Sequence, residues 1–190
     1  MNPESLTAPA LRFSKPTVVA FMGIPGAGKS TLANGLAREI ALLRIISRDT
    51  IRAAMFDPCF YTREEKAAAF EGTLLGLRVV LGRGESALAD GMCFSEIGPL
   101  ERVEAASVDA GAAFVAVYCE VAVEEAVRRV EEDRRSGKHP ALDRDGKLVR
   151  RIAAEFRTLP AGSIRVDMNR DLDEARSALI QELIARGTIA

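Results

Sequence analysis

A glycine-rich stretch directly after a short apolar run is the feature that most restricts how this chain can fold. The apolar run covers residues 17–22, and the stretch that follows reads Gly23-Ile-Pro-Gly-Ala-Gly-Lys-Ser30. Glycines let a backbone curl tightly enough for successive N–H groups to point inward at an anion. A helical pattern then begins at Ser30. This order of strand, glycine loop and helix N-terminus predicts a loop that cradles phosphate groups.

The spacing of the loop also predicts what its side chains do. The Lys29 ammonium is placed to reach the β- and γ-phosphates of a nucleotide, and the Ser30 hydroxyl is placed to bind Mg²⁺. An ordinary strand-to-helix turn with an incidental Lys-Ser pair is the alternative, but the flanking strand and helix favour a nucleotide site. The predicted ATP-binding residues are Gly23, Ile24, Pro25, Gly26, Ala27, Gly28, Lys29, Ser30 and Thr31.

Short apolar runs alternate with longer helical patterns along the rest of the chain. Strands are predicted at 17–22, 43–47, 86–90, 114–119 and 163–167, and helices at 29–41, 62–83, 99–109, 123–135, 146–156 and 172–186. This alternation predicts an α/β fold with a five-stranded parallel sheet and helices on both faces. Thr62 and Glu65 have the spacing of a capping box. Residues 1–16 are expected to form a loose leader before one domain at 17–190.

Composition narrows the class of protein. The 190 residues carry 26 basic and 27 acidic side chains, which argues against electrostatic capture of nucleic acid or of an acidic membrane. Three scattered cysteines do not suggest a disulfide framework, and no apolar run is long enough to span a bilayer. We therefore expect a cytoplasmic protein that does not act at a membrane.

Several classes of nucleotide enzyme do not match the sequence. No Asn-Lys-x-Asp guanine signature follows the loop, no ABC-type signature is present, and the chain is too short for a hexameric ATPase with a lid domain. Small P-loop kinases remain. Such an enzyme needs an acceptor site, a second acidic residue and arginines in a lid.

Candidate residues for the acceptor site and for the metal follow two of the predicted strands. Asp49 and Arg52 form a DxxR pair after the second strand, where a carboxylate could accept the proton of an attacking hydroxyl. Asp90 ends the third strand, as the Mg²⁺-supporting acid of P-loop proteins does. A helix N-cap is the structural alternative for Asp49. The sequence leaves open which of the two carboxylates is the base.

The lid is expected around residues 128–146, where an arginine-rich helix precedes a Pro- and Gly-containing segment. Three of its four arginines have a glutamate four residues earlier, and these pairs are typical of an exposed helix face. The pairs are Glu124 with Arg128, Glu125 with Arg129, and Glu131 with Arg135. Arg134 has Val130 at that position, so Arg134 is the first candidate for the catalytic lid arginine, although the sequence does not decide which arginine acts.

Taken in order, these motifs resemble the small AAA-like P-loop kinases, a group that includes zeta-toxin-like kinases, chloramphenicol phosphotransferase and the kinase domain of polynucleotide kinases. The resemblance spans about residues 17–170. It rests on the P-loop, the DxxR pair, Tyr61-Thr62-x-x-Glu65, Asp90-Gly-x-x-Phe94 and the arginine-rich helix before Gly137-Lys-His-Pro140. It implies the P-loop NTPase fold with strand order 2-3-1-4-5, ATP and Mg²⁺ as donor, and Asp49 as general base beside Arg52.

The function that these observations favour is an ATP-dependent kinase that phosphorylates a hydroxyl of a small molecule or of a nucleic-acid end. The candidate catalytic residues are Lys29, Asp49, Arg52 and Arg134, and the candidate Mg²⁺ ligands are Ser30 and Asp90. A nucleoside or nucleotide kinase is an alternative, because Asp90-Gly91 also resembles adenylate kinases, although the Phe-Pro-Arg that should follow is missing. A non-catalytic ATP-binding switch is another. No membrane and no obligate protein partner are expected.

Overall fold

The computed structural model describes residues 11–136, 145–156 and 159–190. The strands are β1 (Thr17–Met22), β2 (Leu43–Ser47), β3 (Ser86–Asp90), β4 (Ala113–Glu120) and β5 (Ile164–Asp167). The helices of these ranges are α1 (Lys29–Glu39), α2 (Arg48–Met55), α3 (Arg63–Gly82), α4 (Ile97–Asp109), α5 (Val123–Ser136), α6 (Gly146–Glu155) and α7 (Leu172–Ala185). Helices separate successive strands, with two helices between β2 and β3 and two between β4 and β5.

The five strands form one parallel sheet in the order β2-β3-β1-β4-β5. The predicted fold class and strand order are confirmed. β1 lies at the centre, and all six of its residues are buried. The carboxyl end of β1 leads into the glycine loop, so the loop emerges at the middle of the sheet edge where ligands bind in open α/β folds.

Helices cover both faces of the sheet. Val19 and Phe21 of β1 pack on one face, in a core that α1 and α7 complete. Val18, Ala20 and Met22 pack on the other face, against α3 and α4. A buried parallel strand needs apolar side chains on both of its faces, which explains why β1 has no polar alternation.

Element ends differ from the sequence prediction by one or two residues where tertiary pairing intervenes. α1 ends at Glu39 rather than at 41, because Ile40 is extended and bridges to Leu11. α4 begins at Ile97 rather than at 99, so Pro99 falls in its first turn, where a helix lacks a partner for the missing N–H anyway. β4 extends to Glu120 because its end pairs with β5.

The leader expected at residues 1–16 lies partly outside the described residues. Its described part, residues 11–16, packs against the body of the protein. Phe13 is buried in the core and bridges to Ile189, and Arg12 exchanges two backbone hydrogen bonds with Ala190. The apolar side chains at 11 and 13 alternate with polar ones, which is a strand-like pattern that gives this segment a place beside the last residues of the chain.

α3 is the longest of the described helices, with 20 residues, and begins at the predicted capping box. The Thr62 hydroxyl accepts a hydrogen bond from the Glu65 backbone at 3.2 Å, and the Glu65 carboxylate accepts one from the Thr62 backbone at 3.2 Å. Both halves of the box are confirmed. Neither α3 nor any other helix in the described ranges is both long enough and apolar enough to cross a membrane.

Candidate active site

The glycine loop fits closely between β4 and α5. Gly26 has a φ of 80° and Gly28 has a φ of 83°, which is the left-handed region where a side chain is strained. A Cβ atom on Gly26 would also collide with the carbonyl oxygen of Ala126 and touch Val130. Glycine is therefore needed at position 26 for two independent reasons, backbone conformation and close packing.

Lys29 lies at the start of α1 with its ammonium group folded back into the loop. Nζ donates hydrogen bonds to the carbonyl oxygens of Gly23 at 2.8 Å and of Ile24 at 2.9 Å, and the residue is 8% exposed. The N-cap of α1 is Gly28, so the positive end of the helix dipole and the ammonium meet at the same place. This arrangement suits the binding of phosphate groups.

Beneath the loop lies the buried thiol of Cys119, at the end of β4. Burial raises the pKa of this thiol to about 12, and the nearby Lys29 ammonium only partly opposes that effect. The thiol therefore stays protonated at neutral pH and acts as a small apolar side chain.

Ser30 and Asp90 are brought together as a metal site requires. The Ser30 hydroxyl donates a hydrogen bond to Oδ1 of Asp90 at 3.0 Å. The contact follows from the sheet, because β3 lies beside β1 and ends next to the loop. A hydroxyl with one carboxylate is a donor set that Mg²⁺ accepts when phosphates and water supply the other ligands. The described residues hold no cluster of three or more His, Cys, Asp or Glu side chains that could hold a metal without phosphates.

Asp49 and Arg52 lie next to this site, on the first turns of α2. Ser47 pairs with Asp90 across the β2–β3 ladder, so α2 begins beside the end of β3. Arg52 Nη2 donates to Oδ1 of Asp49 at 2.9 Å, and both residues are buried, with exposures of 3% and 7%. Gly91, with a φ of 77°, lets the two segments approach, since a Cβ there would lie 2.9 Å from the Asp49 backbone nitrogen.

The nucleotide-sized cavity lies beside the loop, with a volume of about 590 Å³. Residues 26–31 of the loop, the end of β3, one side of α5 and the segment after β5 line its wall. Asp49 and Arg52 are not among its lining residues, but Gly91, which does line the cavity, lies against Asp49. The buried acid–arginine pair therefore adjoins the cavity at Gly91.

The arginines of α5 differ from the predicted pairing. Arg128 pairs with Glu125 and Glu132 rather than with Glu124, and Arg135 donates to the Glu131 backbone carbonyl rather than to its carboxylate. The reason is the neighbouring helix α6. Its Arg150 pairs with Glu124, and its Gly146 backbone donates to the Glu131 carboxylate.

Arg129 pairs with Glu125 as predicted, yet it also belongs to the cavity wall. Its guanidinium bonds to Glu125 Oε1 at 2.7 Å and to the Met168 carbonyl at 3.1 Å. Hydrogen bonds from Arg128 and then from Arg129 hold the pKa of Glu125 at about 2, so this carboxylate is ionised at neutral pH.

Arg134 also lines the cavity, and within the described ranges no carboxylate pairs with it. The rest of the expected lid, at 137–144, lies outside the described residues.

The sequence analysis missed the segment after β5. Met168, Arg170, Asp171 and Leu172 all line the cavity. Their position gives a usable signal, because they follow the carboxyl end of a parallel strand, as the loop, Asp49 and Asp90 do.

The family is decided by sequence comparison. A model of the AAA domain family matches residues 18–159, which is well over half of the chain. The chain belongs to this family. The match begins in β1 and includes the glycine loop, Asp49, Arg52, Asp90 and α5.

Comparisons with individual proteins are consistent with this family. An adenylate kinase of Thermodesulfovibrio yellowstonii is 35% identical over 75 residues, which cover 40% of this chain and 35% of that enzyme, so the match spans about a third of the relative's length. A kinase-like protein of Chloroflexus aurantiacus is 21% identical with a TM-score of 0.71, covering 88% of this chain and 98% of that one. The Mycobacterium tuberculosis APS kinase CysC, solved with AMPPNP and APS, is 18% identical with a TM-score of 0.61, covering 89% and 98%. These structural similarities show the shared fold.

Proposed function

We propose that this chain is an ATP-dependent kinase that transfers the γ-phosphate to a hydroxyl group of a small molecule or of a nucleic-acid end. The observation that carries the proposal is the hydrogen bond from Ser30 to Asp90, next to the glycine loop that holds the Lys29 ammonium. The Asp49 carboxyl lies close to Gly91, the residue that follows Asp90. Phosphate binding, metal binding and proton removal thus have adjacent candidate groups.

Each of these residues has a defined task in such a transfer. Lys29 and the loop N–H groups bind the phosphates and stabilise the negative charge that shifts toward the leaving oxygen. Ser30 and Asp90 would hold Mg²⁺, which supplies charge neutralisation between the phosphates when it is bound. Asp49 accepts the proton of the acceptor hydroxyl, and Arg52 holds the Asp49 carboxylate in place. Little covalent chemistry is asked of the protein, so positioning accounts for most of the catalysis.

Arg134 is proposed as the arginine that stabilises the transferred phosphoryl group. It lies on the cavity wall, and in the described part of the chain no carboxylate competes for it. Arg129 is already held by Glu125 and by the Met168 carbonyl, which suits a fixed wall of the cavity better than a group that moves toward developing charge.

A nucleotide acceptor is the second candidate, and the similarity to an adenylate kinase favours it. Both candidates are compared by incubating the protein with γ-labelled ATP, Mg²⁺ and fractionated metabolites, with nucleoside monophosphates and 5′-hydroxyl oligonucleotides as separate arms. We expect label to move from ATP to one acceptor class in the parental protein and not in Asp49→Asn. Label that stays on ATP in every arm, although ATP binds, would support a nucleotide-binding switch and contradict the kinase.

A further inference from the structure

The loop between α2 and α3 holds an aromatic side chain in an unusual backbone conformation. Tyr61 has a φ of 59°, which lies in the left-handed region that costs free energy for any residue with a side chain. The conformation turns the Tyr61 ring back toward α2, where the Arg52 guanidinium lies 4.5 Å from the ring centroid. A cation at this distance from a ring face is attracted to it.

A single buried carboxylate holds the backbone around Tyr61. Oε1 of Glu65 accepts a hydrogen bond from the Phe60 backbone at 3.1 Å. Oε2 accepts one from the Thr62 backbone at 3.2 Å and one from the Cys59 thiol at 3.4 Å. Glu65 is 8% exposed. Its carboxylate thus bonds to residues on both sides of Tyr61 from a buried position.

The same contacts keep Glu65 ionised. Burial raises the pKa of this carboxyl, but the hydrogen bonds from the Phe60 backbone, the Cys59 thiol and the Thr62 backbone together outweigh burial and bring the pKa below its ordinary value. An ionised carboxylate accepts every one of these bonds, whereas a protonated one would lose an acceptor position.

The contacts form a continuous series from α3 to the proposed base. Glu65 fixes the 59–62 loop, the loop fixes the Tyr61 ring, and the ring covers Arg52, which is 3% exposed. Arg52 in turn bonds to Asp49 at 2.9 Å. A capping box alone would need only the mutual bonds of Thr62 and Glu65, so the bond to Phe60 and the stacking of Tyr61 on Arg52 are additional.

We propose that Glu65 and Tyr61 are positioning residues for phosphoryl transfer, which hold the Arg52 guanidinium so that the Asp49 carboxylate keeps one orientation. The proposal rests on the proposed function for the role of Asp49. The ring face of Tyr61 provides the contact with Arg52, so Tyr61→Phe preserves it and Tyr61→Leu removes it. Glu65→Gln replaces a carboxylate, which only accepts hydrogen bonds, by an amide whose NH₂ group is a donor. That group would face the thiol and backbone donors of the 59–62 loop and disturb the loop.

The control for these variants is Thr62→Ala. It removes the Thr62 hydroxyl that caps the Glu65 backbone and leaves the carboxylate bonds of Glu65 to the loop intact. A purely structural role for the box would make Thr62→Ala as harmful as Glu65→Gln after correction for stability. A positioning role would separate the two variants.

The first measurement is steady-state turnover with the acceptor class found by the labelling experiment. We expect Tyr61→Leu and Glu65→Gln to lower kcat by about tenfold or more, with KM for ATP within about twofold of the parental value. Tyr61→Phe and Thr62→Ala should keep kcat within about threefold. A fall of kcat in all four variants that follows their loss of stability would overturn the proposal.

The second measurement does not need an acceptor. The Nε–H signal of Arg52, assigned by its loss in Arg52→Lys, reports hydrogen exchange of the guanidinium in ¹⁵N-labelled protein. Exchange should accelerate by about tenfold in Tyr61→Leu and stay near the parental rate in Tyr61→Phe and Thr62→Ala, because only the first removes the ring. Equal exchange in all variants would refute the positioning role even if the protein proved not to be a kinase. If exchange is faster in Tyr61→Leu but the parental protein transfers no phosphoryl group, the proposed function is contradicted. The ordering of Arg52 by Tyr61 would still be established.

Discussion

Replacing Gly26 by alanine tests how closely the glycine loop packs against α5. The substitution keeps the loop sequence otherwise intact and adds one methyl group. That methyl group would meet the Ala126 carbonyl oxygen and lie 3.0 Å from a Val130 methyl carbon, in a backbone with a φ of 80°. The left-handed conformation costs a non-glycine residue about 1–2 kcal/mol. Crowding in a well-packed region costs about 1–3 kcal/mol more.

Gly84→Ala is the matched control, because it separates these two contributions. Gly84 has a φ of 75°, close to that of Gly26, but nothing lies within 4 Å of the position a Cβ would take. We therefore expect Gly84→Ala to lower the free energy of unfolding by about 1–2 kcal/mol. Gly26→Ala should lower it by about 2–5 kcal/mol, the sum of both contributions.

Urea unfolding of the nucleotide-free proteins, followed by circular dichroism, measures both values. Parallel transitions with equal slopes allow the free energies to be compared directly. If Gly26→Ala and Gly84→Ala are destabilised equally, the loop does not pack against the start of α5 as closely as described. A Gly26→Ala protein with parental stability would contradict the assigned backbone conformation as well.

Three further predictions test the site. Lys29→Ala should abolish tight ATP binding in a folded protein, measured by calorimetry, because the buried ammonium is the main positive charge inside the loop; normal affinity would contradict the role of the loop. Arg134→Ala should lower kcat more than ATP affinity, whereas Arg128→Ala, which breaks only exposed ion pairs, should change neither. If both variants keep the parental kcat, the arginines of α5 are ordinary surface residues without a role in catalysis. Asp49→Asn should lower turnover at any Mg²⁺ concentration, while Asp90→Asn should raise the Mg²⁺ concentration needed. The reverse pattern in a Mg²⁺ titration would exchange the two roles.

The features that follow from local pattern were predictable from the sequence. β1 is uniformly apolar because it is buried on both faces, and the glycine spacing before Lys29 has few structural solutions. The capping box at Thr62 depends on two residues three positions apart. The strand order came from family resemblance, since no periodicity in one sequence specifies which strands are neighbours.

The features that depend on packing between distant segments were not predictable. The exchange of partners on α5 requires α6, whose Arg150 competes for Glu124. The place of Arg129 on the cavity wall depends on the Met168 carbonyl, 39 positions away in the chain. The burial of Arg52 under Tyr61 depends on a left-handed residue that no propensity favours. Each of these contacts is a choice among partners that sequence spacing alone treats as equal.

Because β2 lies at the edge of the sheet, the two parts of the candidate site are expected to differ in local stability. Lys29 and Ser30 lie on α1, at the end of the loop that follows β1, and Asp90 ends β3. Both of these strands have neighbours on both sides, whereas Asp49 follows β2, an outermost strand that is only partly covered. Edge segments open more readily than central ones, so amide exchange should be faster in β2 than in β1. In the proposed kinase, mutations around β2 would therefore change the acceptor side of the site while the glycine loop keeps its geometry. Acceptor specificity could then diverge without loss of nucleotide binding.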